Sequence, residues 1–352
     1  MLNSHRWTRR QTLWLLAGAA GGVTLHACKP SAQTPSDGAA SGQSSSVAPA
    51  ATSASLGVTT WIGNAAIYIA QSKGFFTETG LALDLKTFAS VAEGFPAFTA
   101  GQLQAIAPVT SEAVTLAANG VDYRIVAVTD TSVGADGILA RGSVASVADF
   151  KGRKIAVQEG GVGHFFLLQV LAEAGLTGND VELLNIAPDA SAAAYEAGNV
   201  DVAYSYSPFI EKANKAQPDG RIIYDTSKMP TAIADVIAFR NDVITDNPAA
   251  VQAFINGMFK GVEFLKSNAD EALAIASEPL GVKPEELAEQ LKGVQLPDLA
   301  TNLKMVGDPQ SDLYLKKPMD ALAQFLKDQK QIDTIPDLST VLDPQFLLGA
   351  SF

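Results

Sequence analysis

The sequence predicts an α/β protein with a mostly parallel sheet, and two observations support this prediction. Short apolar runs alternate with glycine turns and with segments of helical spacing between Lys154 and Phe209. Such alternation implies right-handed crossovers between parallel strands. The chain has 352 residues, of which 47% are hydrophobic and 18% are charged, which suits one or two domains with a substantial core.

The stretch between Lys154 and Phe209 gives the clearest pattern. It predicts, in order, a strand, a glycine turn, a helix, a strand, a helix and a strand at residues 154–158, 159–164, 165–171, 181–186, 189–195 and 201–206. Ligands of such sheets bind beyond the carboxyl ends of the strands, where the helices begin. We therefore expect residues 159–164 and 204–208 to lie at the edge of a ligand cleft.

The flanking segments predict two lobes. Upstream strands are expected at residues 58–61, 81–86, 104–107, 123–129 and 137–140, and helices at 64–73, 91–100 and 108–118. Downstream, strands at 221–224 and 236–239 precede helices at 248–266, 270–277, 283–292 and 312–327. The late helices have no strands of their own, so we expect them to pack on the upstream lobe. The prediction is lobe I at 56–143 and 240–352 and lobe II at 144–239, with two crossings and a cleft between them.

The N-terminal segment has the features of an export signal. Basic residues precede an apolar run at residues 13–25, and the sequence Leu-His-Ala-Cys that follows resembles a bacterial lipoprotein box. We expect a signal peptide at residues 1–27, with Cys28 as the lipidated first residue of the exported protein. Residues 8–13 also resemble a twin-arginine signal. Residues 28–55 are rich in Ser, Ala, Pro and Gly, which predicts a flexible tether.

Composition excludes several classes of function. The net charge is −12 and no basic stripe occurs, so we expect no nucleic-acid partner. Cys28 is the only cysteine, and His164 is the only histidine outside the predicted signal, so hydrolytic triads and histidine-rich metal sites lack their residues. No phosphate-binding glycine loop with a following lysine is present. We expect a protein that is not an enzyme and that has neither metal nor cofactor.

Several short segments, in order along the body, resemble one family of proteins. They lie at residues 66–76, 80–81, 100–103, 149–157, 174–176, 197–203 and 342–347. Together they are similar to the extracytoplasmic substrate-binding proteins of the nitrate/sulfonate/taurine class of ABC importers. The resemblance implies the type II periplasmic-binding fold, in which two lobes joined by two crossings close on a small solute. It also implies a transmembrane permease and a cytoplasmic ATPase as partners of a monomer on the periplasmic side of the bacterial inner membrane, which a lipid anchor alone holds there. Enzymatic relatives use a cysteine-rich motif and a histidine, which this chain lacks apart from Cys28 and His164.

The candidate ligand residues are acids and aromatic or polar groups near the predicted strand-to-helix turns. The acids are Glu93, Glu112, Asp136, Glu159 and Asp235. No arginine or lysine lies in the same turns, and an unpaired carboxylate in a closed cleft requires a cationic or donor-rich ligand. The other candidates are Trp61, Asn64, His164 and Tyr206, of which the two aromatic residues lie at strand ends and could hold a cation against their rings. Phe95 and Phe165 are expected to pack in the core.

These residues favour a small nitrogen-containing solute, either a guanidinium-like cation or a taurine-like amine. The alternative is an oxyanion such as nitrate or an alkyl sulfonate, held by helix N-termini. A ligand-sensing domain and an enzyme are the remaining alternatives.

Overall fold

The computed structural model describes residues 52–352. The predicted signal peptide, the twin-arginine motif, Cys28 and most of the predicted tether lie outside the described residues. Within residues 52–352, none of the helices is both long enough and apolar enough to cross a membrane.

The described chain alternates between strands and helices. The strands are β1 (Thr52–Thr59), β2 (Leu81–Phe88), β3 (Ala105–Ile106), β4 (Tyr123–Ser132), β5 (Asp136–Ala140), β6 (Lys154–Ala156), β7 (Glu182–Leu184), β8 (Val202–Tyr206), β9 (Arg221–Asp225), β10 (Ala234–Arg240) and β11 (Val294–Gln295). The helices are α1 (Ala65–Ser72), α2 (Phe75–Glu78), α3 (Val91–Thr99), α4 (Thr110–Ala118), α5 (Val162–Glu173), α6 (Pro188–Glu196), α7 (Phe209–Ala216), α8 (Asn241–Asp246), α9 (Pro248–Ser267), α10 (Ala269–Leu280), α11 (Pro284–Gln290), α12 (Leu299–Gly307), α13 (Lys316–Asp328) and α14 (Gln345–Leu348).

Two mixed sheets form the cores of two lobes. The first sheet has the strand order β11-β4-β10-β3-β1-β2, and the second has the order β7-β6-β8-β5-β9. We keep the names lobe I and lobe II for the parts built on the first and second sheets. The two-lobe α/β prediction is confirmed, but the sheets are not mostly parallel. β10 runs antiparallel to its neighbours in the first sheet, and β5 does so in the second.

The predicted lobe boundaries are wrong because two strands belong to the opposite sheet. β5 pairs with β8 and β9 in lobe II, and β10 pairs with β3 and β4 in lobe I. The crossings therefore lie at residues 133–135 and 226–233, between the printed ends of these strands. The apolar pattern of a strand shows that it is buried but does not show which sheet it joins.

Two further predictions need correction at the edges of the fold. β1 begins at Thr52, where the backbone N–H donates to Gly80 O at 2.9 Å, so residues 52–55 are strand rather than tether. Ala272 of α10 and Leu287 of α11 pack in a core cluster with residues of the second sheet such as Ile155. The late helices therefore do not all pack on lobe I, because α10 and α11 also cover lobe II.

The two crossings are hydrogen-bonded to each other. The hydroxyl oxygens of Ser132 and Thr226 lie 2.7 Å apart, and the Gly134 N–H donates to Thr226 Oγ1 at 2.8 Å. Gly134 has a φ of 141°, a conformation that favours glycine. Both hydroxyls are fully buried. The crossings must consequently bend as a pair when the lobes move.

Gly261 allows α1 and α9 to approach closely, and its replacement should destabilise lobe I. A Cβ atom at this position would lie 2.1 Å from Ala66 O. The Gly261→Ala variant is expected to lower the free energy of unfolding by about 1–3 kcal/mol, because overpacking outweighs the better helix propensity of alanine. Chemical denaturation measures this change, with Lys266→Ala at the exposed end of the same helix as the control. A variant as stable as the native protein would contradict this account of the helix contact.

Candidate functional site

A small cavity lies between the two lobes, at the edge that the strand-to-helix turns form. Its volume is about 30 Å³. Because a single water needs about 10–15 Å³ of such space, the cavity suits a solute of only a few non-hydrogen atoms. The lining residues are Thr59, Trp61, Ser90, Val91, Val109, Glu112, Asp136, Gln158, Gly161, Val162, Gly163, Pro188, Tyr204, Tyr206, Ile233 and Asp235. Both lobes therefore contribute to the cavity.

Four carboxyl groups cluster at this cavity. Glu112, Asp130 and Asp136 are 1%, 0% and 2% exposed. Asp235 is partly exposed overall, but its Oδ2 atom is buried. Asp130 and Asp235 lie directly opposite each other on β4 and β10. Among the residues that the structure describes, no lysine or arginine lines the cavity.

Several side-chain oxygens at the cavity are buried without a hydrogen-bond partner in the described part of the chain. Ser90 Oγ and Asp235 Oδ2 come from lobe I, and Asp136 Oδ2 and Gln158 Oε1 come from lobe II. Asp130 Oδ1, next to the cavity, is also without a partner. A buried acceptor left unpaired costs about 1–3 kcal/mol, and more when it is charged. The site is thus arranged to receive hydrogen-bond donors from both sides.

Burial keeps the acids close to neutral in the absence of a positive charge. It raises the pKa of Glu112 to about 7, that of Asp130 to about 7 and that of Asp136 to about 6. The pKa of Asp235 is raised well above its ordinary value, first by burial and then by the charges of Asp130, Asp136 and Glu112. A cation placed among these groups would favour their ionised forms.

Aromatic side chains hold the acids in position. Trp61 Nε1 donates to Asp130 Oδ2 at 3.1 Å, and the Tyr204 hydroxyl donates to Asp136 Oδ1. The rings of Trp61 and Tyr206 meet edge to face, with centroids 5.5 Å apart. Gly163 at the start of α5 lies against Tyr204, and a Cβ atom there would be 2.1 Å from the tyrosine ring. The tyrosine can occupy this place only because residue 163 has no side chain.

Glu112 bridges the two lobes. Its Oε2 atom accepts the N–H of Val109 at 3.1 Å, next to the start of its own helix α4. Its Oε1 atom accepts the N–H of Val162 at 3.2 Å, the first residue of α5 in lobe II. One buried carboxylate therefore satisfies backbone donors at the N-terminal ends of two helices.

Two of the predicted acids do not lie at the cavity. Glu93 is exposed on α3. Glu159 is also exposed and lines a separate, open groove on the surface, and its backbone N–H donates to Asn185 Oδ1 at 3.0 Å. Both follow strands as expected, but their side chains point to solvent. Their placement as cleft residues was wrong.

Asn64 and His164 are buried but do not line the cavity either. Asn64 Nδ2 donates to Thr59 O at 3.0 Å, so its side chain stabilises the turn after β1 rather than capping α1. His164 Nδ1 accepts the Gly160 N–H at 3.2 Å, and the imidazole stacks on Phe165. Burial lowers the pKa of His164, which keeps it neutral. Both residues therefore support local structure.

Three residues at or beside the cavity were missed by sequence analysis. Asp130 is the only acid in β4, which is otherwise apolar, hydroxylic or aromatic apart from Arg124, and this contrast could have identified it. Ser90 and Gln158 directly follow or precede predicted elements and carry no distinguishing sequence signal. In the described residues, no group of three or more His, Cys, Asp or Glu side chains has the arrangement of a metal site.

The chain is similar to several binding proteins. A putative binding protein of Brucella abortus is 27% identical over 279 residues, which cover 77% of this chain and 85% of the relative. The taurine-binding periplasmic protein of Escherichia coli is 25% identical over 295 residues, covering 79% of this chain and 88% of the relative. The structure of the alkanesulfonate-binding protein SsuA from Xanthomonas axonopodis pv. citri, bound to MOPS, superposes with a TM-score of 0.69 at 18% identity and covers 84% of this chain and all of that one.

The model of one protein family matches the body of the chain. The match extends over residues 61–272, which is more than half of the sequence and includes all of the cavity-lining residues except Thr59. The two-lobe fold is the one that SsuA has. The chain therefore belongs to the NMT1/THI5-like family.

Proposed function

We propose that this protein, a solute-binding component of an ABC importer, captures a small organic cation of the guanidinium type. The observation that carries this proposal is the set of buried, unpartnered oxygens that approach the cavity from both lobes, with no lysine or arginine among the described lining residues. The relatives named as binding proteins support the transport role.

A guanidinium-type ion matches the chemistry of these groups. It is planar, permanently charged and rich in N–H donors, and it pairs with carboxylates through two parallel hydrogen bonds. Asp136 Oδ2 and Asp235 Oδ2 offer acceptors on lobes II and I, and Ser90 and Gln158 add neutral ones. The rings of Trp61 and Tyr206 add cation–π attraction of about 0.5–2 kcal/mol where the ion is desolvated. The small cavity volume agrees with a solute of this size.

An oxyanion such as nitrate or an alkyl sulfonate is the alternative, and the names of the relatives favour it. Two observations on the cavity oppose it. The backbone N–H groups of Val109 and Val162, at the starts of two helices, are already satisfied by Glu112. An anion would also add a negative charge to a cluster of four acids. A taurine-like amine is intermediate, because its ammonium group fits the acids while its sulfonate does not.

Binding rather than chemistry is the proposed use of the cavity. His164 lies outside it, and the single cysteine, Cys28, lies outside the described residues, so neither offers a nucleophile or base there. The proposed partners are a permease and its ATPase, with the protein acting outside the cytoplasm as a monomer that a lipid on Cys28 anchors. A ligand-sensing role would use the same cavity. Loss of solute uptake on deletion of the protein distinguishes import from sensing.

Titration calorimetry of the exported body tests the solute class. Guanidinium and methylguanidinium should give saturable binding, whereas nitrate and methanesulfonate should give none, because the site offers acceptors and negative charge. Ammonium serves as a control for charge without the planar fork. Tight nitrate binding together with no response to guanidinium would overturn the proposal.

Closure of the lobes should accompany binding, because the acceptors come from both lobes. Small-angle scattering of the guanidinium-saturated protein should therefore show a more compact particle than scattering of the solute-free protein.

A further inference from the structure

Glu112 differs from the other three acids of the cavity because both of its oxygens already have partners within the chain. Oε2 accepts the Val109 N–H and Oε1 accepts the Val162 N–H, at 3.1 and 3.2 Å. The side chain is 1% exposed and belongs to the cavity wall. A carboxylate accepts about four hydrogen bonds, so the remaining two acceptor positions are available to a solute.

The position of this carboxylate matches that of an anion bound between the lobes. Backbone N–H groups at helix N-termini attract negative charge. Here a group from the chain itself meets that attraction at α4 and α5 together. A solute with its own carboxylate or sulfonate would have to displace Glu112, which would leave a buried acid without its donors.

We propose that Glu112 is a specificity-determining residue that acts as a built-in counter-anion and restricts the solute to cations without an acidic group. This inference rests on the proposed capture of a small cation and narrows it. A guanidinium ion binds against the Glu112 carboxylate and bridges it to Asp136 of lobe II. Zwitterions such as taurine are excluded, since their anionic end competes with Glu112.

Replacement of Glu112 by alanine, combined with chemical rescue, tests this role. The Glu112→Ala variant leaves two N–H groups unpaired beside a space that fits acetate. Its guanidinium affinity should fall about tenfold or more, since hydrogen bonds to a charged group are lost. Added acetate should restore much of the affinity in the variant and leave the native protein unaffected. Calorimetric titrations with guanidinium in acetate, and in an equal concentration of the larger anion gluconate, measure the effect.

The matched variant Glu112→Gln keeps the side-chain volume, so it should bind guanidinium weakly and show no response to acetate. The inference is overturned if Glu112→Ala binds guanidinium as the native protein does, or if acetate fails to improve its weakened binding. Should the alanine variant not fold, native affinity in Glu112→Gln overturns it equally.

Failure of the proposed function gives a different result. The native protein would then ignore guanidinium. Acetate or taurine binding that appears in Glu112→Ala, and that is absent in the native protein, would still support Glu112 as the occupant of an anion position.

Discussion

Replacing Asp136 by asparagine is expected to weaken guanidinium binding by about 100-fold or more while making the solute-free protein more stable. Removing one partner of a buried ionic contact costs about 2–5 kcal/mol of binding energy. Asp136 Oδ2 has no partner among the described residues and lines the cavity, so its charge is available to the solute. Asparagine retains the oxygen that accepts the Tyr204 hydroxyl.

The gain in stability has the same origin as the loss of binding. Burial raises the pKa of Asp136 from 3.8 to about 6, so an ionised carboxylate is unfavourable there at neutral pH. Each pKa unit corresponds to about 1.4 kcal/mol, and asparagine removes this penalty, although its own amide must also be accommodated. The free energy of unfolding of the solute-free variant should therefore rise.

Calorimetry and chemical denaturation on the same samples measure both effects. Glu159→Gln is the matched control, because it removes an exposed carboxylate of lobe II outside the cavity and should leave affinity and stability unchanged. Unaltered affinity in Asp136→Asn would remove this carboxylate from the solute site.

The solute-free protein should lose stability as the pH rises from about 4 to about 7. Glu112, Asp130 and Asp136 have unfolded pKa values near 4.5, 3.8 and 3.8 and folded values of about 7, 7 and 6. Between these limits the folded state binds more protons than the unfolded state, so the free energy of unfolding falls with increasing pH. The expected total is several kcal/mol, at about 1.4 kcal/mol per pKa unit.

Guanidinium affinity should rise over the same pH interval. The ion stays charged throughout, so its affinity follows ionisation of the carboxyl groups. Binding near pH 6 should release protons, which calorimetry in two buffers of different ionisation enthalpy detects. The lowered pKa of buried His164 acts in the opposite direction near its ordinary value, so a His164→Gln background isolates the acids. Stability that increases steadily between pH 4 and pH 7 would contradict this account.

The sequence predicted the two-lobe α/β fold but not the exchange of strands between the lobes. Periodicity identified β5 and β10 as buried strands. Their assignment to a sheet depends on pairing with residues far away in the chain, such as Asp136 with Tyr206 and Asp235 with Asp130. No local pattern reports such pairing.

The candidate site illustrates a second limit. Glu93 and Glu112 are each the third residue of a helix that follows a strand, in α3 and α4. Glu93 is exposed, whereas Glu112 is buried between the lobes. The position in the helix is the same, and only the packing of each helix decides which way its first turn faces. The turns could therefore be predicted as the site, but not which of their acids enter it.

The distribution of the four acids over the lobes has a consequence for the transport cycle. Glu112, Asp130 and Asp235 belong to lobe I, and Asp136 belongs to lobe II. At neutral pH, ionised members without a cation between them repel one another across the cleft, which favours separation of the lobes. A captured cation replaces this repulsion by attraction. Empty and loaded forms then differ in shape, so a permease that recognises only the compact form would not spend ATP on an empty carrier.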